Sequence, residues 1–173
     1  MTDGLKILPA GLTDIASLVA LVNSAYRGES SKKGWTTEAD LLGGIRTNEI
    51  TLTSILKNPN NIILKCCDID ENIIGCVHLQ HQHKKIYLGM LTVSPQLQAK
   101  GIGKLLLNAS EKYAIKYNFE AIIMTVISVR KELIAWYERR GYINTKETKP
   151  FPKDSNFGIP KQDLEFIVME KKF

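Results

Sequence analysis

The chain has 173 residues, 44% hydrophobic and 24% charged, the mix of an ordinary soluble protein. This length predicts a single domain over residues 1–173. No apolar run reaches the roughly 18 residues of a membrane span, and the opening "MTDGLKILPAGLTD" lacks the apolar core of a secretion leader. The net charge of +5 favours anionic partners. The basic residues nevertheless fall in isolated pairs, such as Lys32-Lys33 and Arg139-Arg140, with no basic stripe or interleaved aromatics. That pattern argues against nucleic acid and is satisfied by a small polyanion.

"LKILPA" reads as a first strand, followed by a helix over "TDIASLVALVNSAY", with Ile15, Leu18, Val19 and Val22 at helical spacing. "RGESSKKGW" is a polar loop. "TTEADLLGG" predicts a second helix, capped by Thr36 or Thr37 and ended by Gly43-Gly44. "TLTSILKN" predicts a third, short one. The period then changes to that of strands. "NIILKCCD" and "IIGCVHLQ" form a hairpin, and "KKIYLGMLTV" adds a strand that Pro95 closes. Cys66, Cys67 and Cys76 fall on these strands, too few and too irregular for a disulfide framework; they read as core thiols of a reducing compartment, the cytoplasm.

Ile102, Leu105, Leu106, Ala109 and Tyr113 mark one face of a long helix. "EAIIMTVIS" is a buried strand. "KELIAWYERR" is a helix that Gly141 stops in the left-handed region. "YINTKET" and "DLEFIVMEK" are late strands, separated by the proline-rich "PFPKDSNFGIP". An antiparallel meander leading into a βαβ unit makes a mixed sheet with helices on its faces.

The glycine pair Gly101 and Gly103 stands where a strand gives way to the long helix. A helix start leaves about four N–H groups without partners and carries partial positive charge. Glycines let an anion come close, and Lys100 and Lys104 add charge. Two familiar phosphate motifs fail: Leu105 stands where a P-loop needs Ser or Thr, and Leu106 where a dinucleotide fingerprint needs its third glycine. A tight turn that binds nothing remains the plainer alternative.

What is left is Q-x-x-G-x-G at Gln98-Ala99-Lys100-Gly101-Ile102-Gly103. With "GMLTVSP" before it, "AWYERRGY" after it and the order of elements, the sequence resembles the GNAT superfamily of acetyl-CoA-dependent N-acetyltransferases over most of its length. The resemblance implies a mixed, mostly antiparallel central sheet of six to seven strands with helices on both faces. It implies acetyl-CoA as acyl donor, with its pyrophosphate on residues 98–104 and its pantetheine arm along Leu91, Thr92 and Val93. It makes the Val93 N–H the donor to the thioester oxygen and Tyr137 the acid that protonates the leaving sulfur. A phenol, with a pKa near 10, is close to a thiol in acidity; the competing reading of Tyr137 is a core aromatic.

Many relatives carry Asn where this chain has Arg130, which can reach a phosphate or pair with an acid. Acceptor contacts are expected from the loop between the first helices, at Tyr26, Arg27 and Trp35, with an Arg27-Glu29 pair indicating a polar or charged small amine. No Asp or Glu occurs from Ile73 to Ser110, so the base is open. His78 titrates in the right range, although His78, His81 and His83 also fit a solvated hairpin end. Strand alternation separates 78 from 81 and 83, so no metal site is expected. Nothing in the chain argues for a covalent intermediate. A GNAT fold that binds acyl-CoA as a sensor and no longer reacts is the alternative. Relatives also make a homodimer possible.

Overall fold

The computed structural model describes residues 3–154 and 158–173. The part of the proline-rich segment at 155–157 lies outside the described residues. The elements run β1 (Lys6–Pro9), α1 (Ile15–Tyr26), α2 (Gly28–Ser31), β2 (Leu42–Gly43), α3 (Glu49–Lys57), β3 (Asn61–Cys67), β4 (Ile73–Gln82), β5 (Lys85–Val93), α4 (Ile102–Lys116), β6 (Ala121–Ile127), α5 (Lys131–Glu138), β7 (Ile143–Pro150), β8 (Ile159–Pro160) and β9 (Glu165–Lys172). Seven strands form one sheet in the order β1-β3-β4-β5-β6-β9-β7. Only β5 and β6 run parallel; the other neighbours are antiparallel. Among the described residues, no helix is long and apolar enough to cross a membrane.

Each face of the sheet carries its own core. On one face, Leu18, Val22 and Ala25 of α1 and Leu52 of α3 pack on Ile63, Cys76 and Met90. On the other, Leu106, Leu107 and Ala114 of α4 and Ile134 and Tyr137 of α5 pack on Val77, Leu79, Ile86, Leu88 and Ile122. The three cysteines are free and buried.

The alternation along β5 breaks at one point. Ile86 and Leu88 face α4, Met90 faces α1, and Leu91 and Val93 face α4 again. The register against β4 shifts between Cys76 and His78, and Met90 adopts a φ of 53°. This is a β-bulge: one extra residue on β5 re-aims the side chains that follow. The Thr92 hydroxyl donates to the Met90 carbonyl at 2.9 Å and braces the kink.

The predicted helix over "TTEADLLGG" does not form. Residues 36–41 make turns, Thr37 Oγ1 accepts from the Ala39 N–H at 3.2 Å, and Leu42–Gly43 pairs as β2 with β8. Gly44, at φ 77°, turns the chain out of that pairing. The pairing with a distant segment supplies the backbone partners that a helix would have supplied, and it is invisible to local periodicity. The short helix α2 forms instead inside the stretch read as a polar loop.

Candidate active site

The parallel contact in the middle of the sheet is short. It joins Lys85, Ile86 and Tyr87 to Ala121, Ile122 and Ile123 and then ends, although β5 runs on to Val93 and β6 to Ile127. The strands part there like a fork. In an antiparallel ladder, residues that bond their partner alternate with residues that do not. The Ser94 N–H donates to the Ile74 carbonyl at 2.9 Å, so Val93, opposite Gly75, turns its N–H and C=O away from β4 and toward the fork. The Gln98 side-chain amide meets that carbonyl at 3.2 Å.

Two cavities open into the fork. The first, about 310 Å³, is lined by Trp35, Thr36, Val93, Gln98, Ala99, Gly101, Gly103, Lys104, Trp136 and Arg140, among others. The second, about 360 Å³, is lined by Arg27, Glu38, Arg46, Tyr87, Thr125, Phe151 and Phe166, among others. Tyr26, Leu91, Arg130, Leu133 and Tyr137 line both.

The first cavity has the glycine turn at its end. Ala99 and Gly101 adopt φ values of 63° and 86°, a left-handed conformation that costs glycine little. Gly101 is the N-cap of α4 and makes no side-chain capping bond. The first N–H groups of α4 therefore face outward with the positive end of the helix dipole, an arrangement suited to a phosphate. Gly103 has its missing Cβ position 3.6 Å from the Trp136 ring and 3.7 Å from Val93. Above Trp136 lies the Arg140 guanidinium, 3.7 Å from the ring centroid; burial pulls its pKa down.

The second cavity has both charged and apolar residues in its wall. Glu38 is clasped by Arg27 and, at 3.3 Å, by Arg130. In the same wall the rings of Phe151 and Phe166 lie 5.2 Å apart. β2 and β8 cover this side, and Lys161 ties the two segments by donating to the Ala39 carbonyl at 2.6 Å.

Tyr137 stands where the cavities meet. It is buried, 5.0 Å from Trp136 and 5.8 Å from Tyr142 between ring centroids, both edge-on. Its hydroxyl makes no hydrogen bond among the described residues. Burial, reinforced by Tyr26, raises its pKa well above the phenol range, and Arg130 opposes that rise. The Tyr26 hydroxyl donates to the Leu91 carbonyl; burial, then Glu38, pushes its pKa up to about 12.

A family model, the acetyltransferase (GNAT) family, matches residues 18–142, from α1 through α5 and the glycine turn between them. The chain belongs to the GNAT acetyltransferase family. Solved structures agree on the fold. The ribosomal-protein-S18-alanine N-acetyltransferase from Escherichia coli superposes with a TM-score of 0.73 at 15% identity, covering 97% of this chain and 93% of that one. The ribosomal-protein-alanine N-acetyltransferase from Brucella melitensis gives 0.73 at 18%, covering 97% and 99%. The PaiA N-acetyltransferase from Thermoplasma acidophilum, in complex with coenzyme A, gives 0.69 at 20%, covering 98% and 99%.

Within this GNAT domain the residues predicted for the site divide into those at the fork and those elsewhere. Tyr137, Leu91, Val93 and the turn from Gln98 to Lys104 stand around the first cavity, except Lys100, which is exposed and lines neither. Thr92 also lines neither; alternation turns it to the opposite face. The Gln98 side chain reaches the 34–36 loop: it accepts from the Trp35 N–H at 2.8 Å and donates to Thr36 Oγ1 at 2.7 Å. Trp35 therefore sits at the first cavity, 6.4 Å from Trp136, and does not line the second.

Arg27 pairs with Glu38, not with Glu29, which pairs with Lys32. Arg130 pairs with the acid Glu38 and lines both cavities. His78 lines neither cavity; its Nε2 is 2.9 Å from Asn61 Oδ1. Burial, then Arg46, lowers its pKa to about 4. The sequence reading did not single out Glu38, Arg46, Trp136 or Arg140. The spacing of Trp136 and Arg140 by one helical turn was the available signal for that pair.

Proposed function

We propose that this protein moves an acetyl group from acetyl-CoA to a primary amine of a small polar acceptor, by direct attack in a ternary complex. The observation that carries this reading is the meeting of two cavities at one buried phenol. A donor and an acceptor entering from opposite sides come together at Tyr137 without leaving the protein.

The glycine turn fits the donor. The N–H groups of residues 98–104 and the end of α4 hold the pyrophosphate, with Lys104 beside it. The pantetheine arm runs along Leu91 and Val93 in the fork. There it takes the place of the ladder bonds that β6 does not supply. The Val93 N–H, aimed into the fork, donates to the thioester oxygen as negative charge builds on it. Gln98 acts as a positioning residue: it locks the 34–36 loop against the turn.

The acceptor amine enters from the second cavity as the free base and attacks the thioester carbon. A carbon–nitrogen bond forms, the carbon–sulfur bond breaks, and Tyr137 gives its proton to the departing sulfur. The proton lost by the amine passes to water, and water returns a proton to the Tyr137 phenolate, which burial makes strongly basic. Cys66, Cys67 and Cys76 line neither cavity, and burial raises the thiols of Cys66 and Cys76 to about 11 and about 12. An acetyl-cysteine intermediate has no nucleophile at the fork, which favours the single-step route.

The test is Tyr137→Phe, followed by free-thiol release from acetyl-CoA with an amine library. The expected result is a kcat lower by about 10²-fold or more with acetyl-CoA affinity kept. Wild-type protein that binds acetyl-CoA tightly and releases no thiol with any amine would instead make it a sensor.

A further inference from the structure

The acceptor cavity holds more positive charge than its one acid neutralises. Of the described residues that line it, Arg27, Arg46, Arg130 and Lys149 are cationic and Glu38 is the sole acid. Arg27 and Arg130 are both spent on Glu38. Lys149 stands at the rim, half exposed and 4.0 Å from Glu147. Arg46 differs from all of these. Its main-chain N–H is anchored on Asn23 Oδ1 at 2.7 Å. Its guanidinium carbon lies 5.9 Å from the centroid of the Tyr26 ring. It pairs with no carboxylate among the described residues. The planar fork of its donors is therefore available to a ligand, held over the ring whose hydroxyl closes on Leu91.

Part of the same cavity's wall is apolar, with Pro150, Phe151, Pro152 and Phe166 in it, Phe166 lying opposite Lys149 in the sheet. A ligand that satisfies all three regions has an amine at Tyr137, an anionic group at Arg46 and an apolar side chain toward Phe151. We propose that the acceptor is a small α-amino acid with an apolar or aromatic side chain, and that Arg46 binds its carboxylate. This rests on the acetyltransferase reading above. A polyamine would bring further cations into a cavity that already has an excess of them, at a desolvation cost that nothing there offsets.

The experiment pairs each amino acid with its decarboxylated partner: L-phenylalanine with phenethylamine, L-leucine with isopentylamine, and spermidine as the polycation. Thiol release is measured with acetyl-CoA. Binding of the same compounds to the CoA-saturated protein is measured by calorimetry. The expected result is that the carboxylated member of a pair binds more tightly and has the lower KM. Arg46→Gln raises that KM on the order of 30-fold, and more than it does for the decarboxylated member; Arg46→Lys recovers part of the loss. The lysine variant also keeps the test open if the glutamine variant melts early.

Best turnover of spermidine or of the decarboxylated amines, or an equal loss for both members in Arg46→Gln, overturns the assignment while acetyl transfer stands. Arg46-dependent binding of an amino acid without thiol release supports the pocket and sinks the transfer reading. Absence of both binding and turnover for the amino acids overturns the assignment.

Discussion

Replacing Glu38 with Gln removes the one negative charge between two guanidiniums. The side chains of Arg27, Arg130 and Glu38 are only 4%, 9% and 12% exposed, so water screens them little. The Arg130–Glu38 contact at 3.3 Å corresponds to an attraction of about 5 kcal/mol at an effective dielectric near 20. Arg27 adds a second, closer contact. Much of that attraction is offset by the desolvation of all three groups. Removing one partner, however, leaves the others buried and unneutralised, which costs about 3–5 kcal/mol. Burial already drags the Arg27 pKa down, with Glu38 holding it up. Glutamine keeps a carbonyl to accept from the arginines, so we expect the lower end, about 3 kcal/mol. In urea, with a slope of about 2 kcal/mol per molar, the midpoint falls by about 1.5 M. Circular dichroism in a urea titration reads this directly. Adding Arg130→Gln should return part of the loss, because the double variant no longer buries an uncompensated charge there. A Glu38→Gln midpoint within about 0.5 M of wild type would refute the view that this acid neutralises a buried pair of cations.

Gly101→Ala places a Cβ at φ 86°; it should cost about 1 kcal/mol of stability and raise the KM for acetyl-CoA, read by melting and by thiol release. Gly158→Ala combines a φ of 101° with a Cβ 3.0 Å from Arg27 Nη2, so the acceptor KM should rise more than the acetyl-CoA KM. The unfolded chain protonates His78 near 6.5, while the folded chain does so only near 4. Its contribution is therefore complete above pH 6.5 and lost as pH falls toward 4, by up to about 3 kcal/mol. His78→Gln should flatten that acid limb in urea titrations at stepped pH. The three buried thiols should ignore Ellman's reagent at pH 8 until the protein is unfolded.

The parts of the site that the sequence revealed are those whose position follows from local geometry. The turn at Gly101 is followed by Ile102, Leu105, Leu106, Ala109 and Tyr113, whose spacing alone marks the helix that opens there. The bulge at Met90 and the turn of Thr92 to the opposite face lie beyond periodicity, since one extra residue reverses every later assignment on a strand. Glu38 and Arg46 sit in a segment whose shape is imposed by β8, more than a hundred residues away. A loop folded by distant partners gives no local sign of which of its charges point inward. His78 shows the opposite case: its chemistry suited a base, but its strand position holds it half-buried on Asn61, away from both cavities.

The Gln98 side chain bridges two segments more than sixty residues apart, and a Cβ at Gly34 would stand 2.5 Å from its amide oxygen, so any side chain there would displace the bridging amide. A shift of the turn at residues 98–104 therefore bears directly on the 34–36 loop, which leads on to Glu38. On the proposed function, loading with nucleotide thioester should stiffen the 34–36 loop before the co-substrate arrives, read as slower amide hydrogen exchange there.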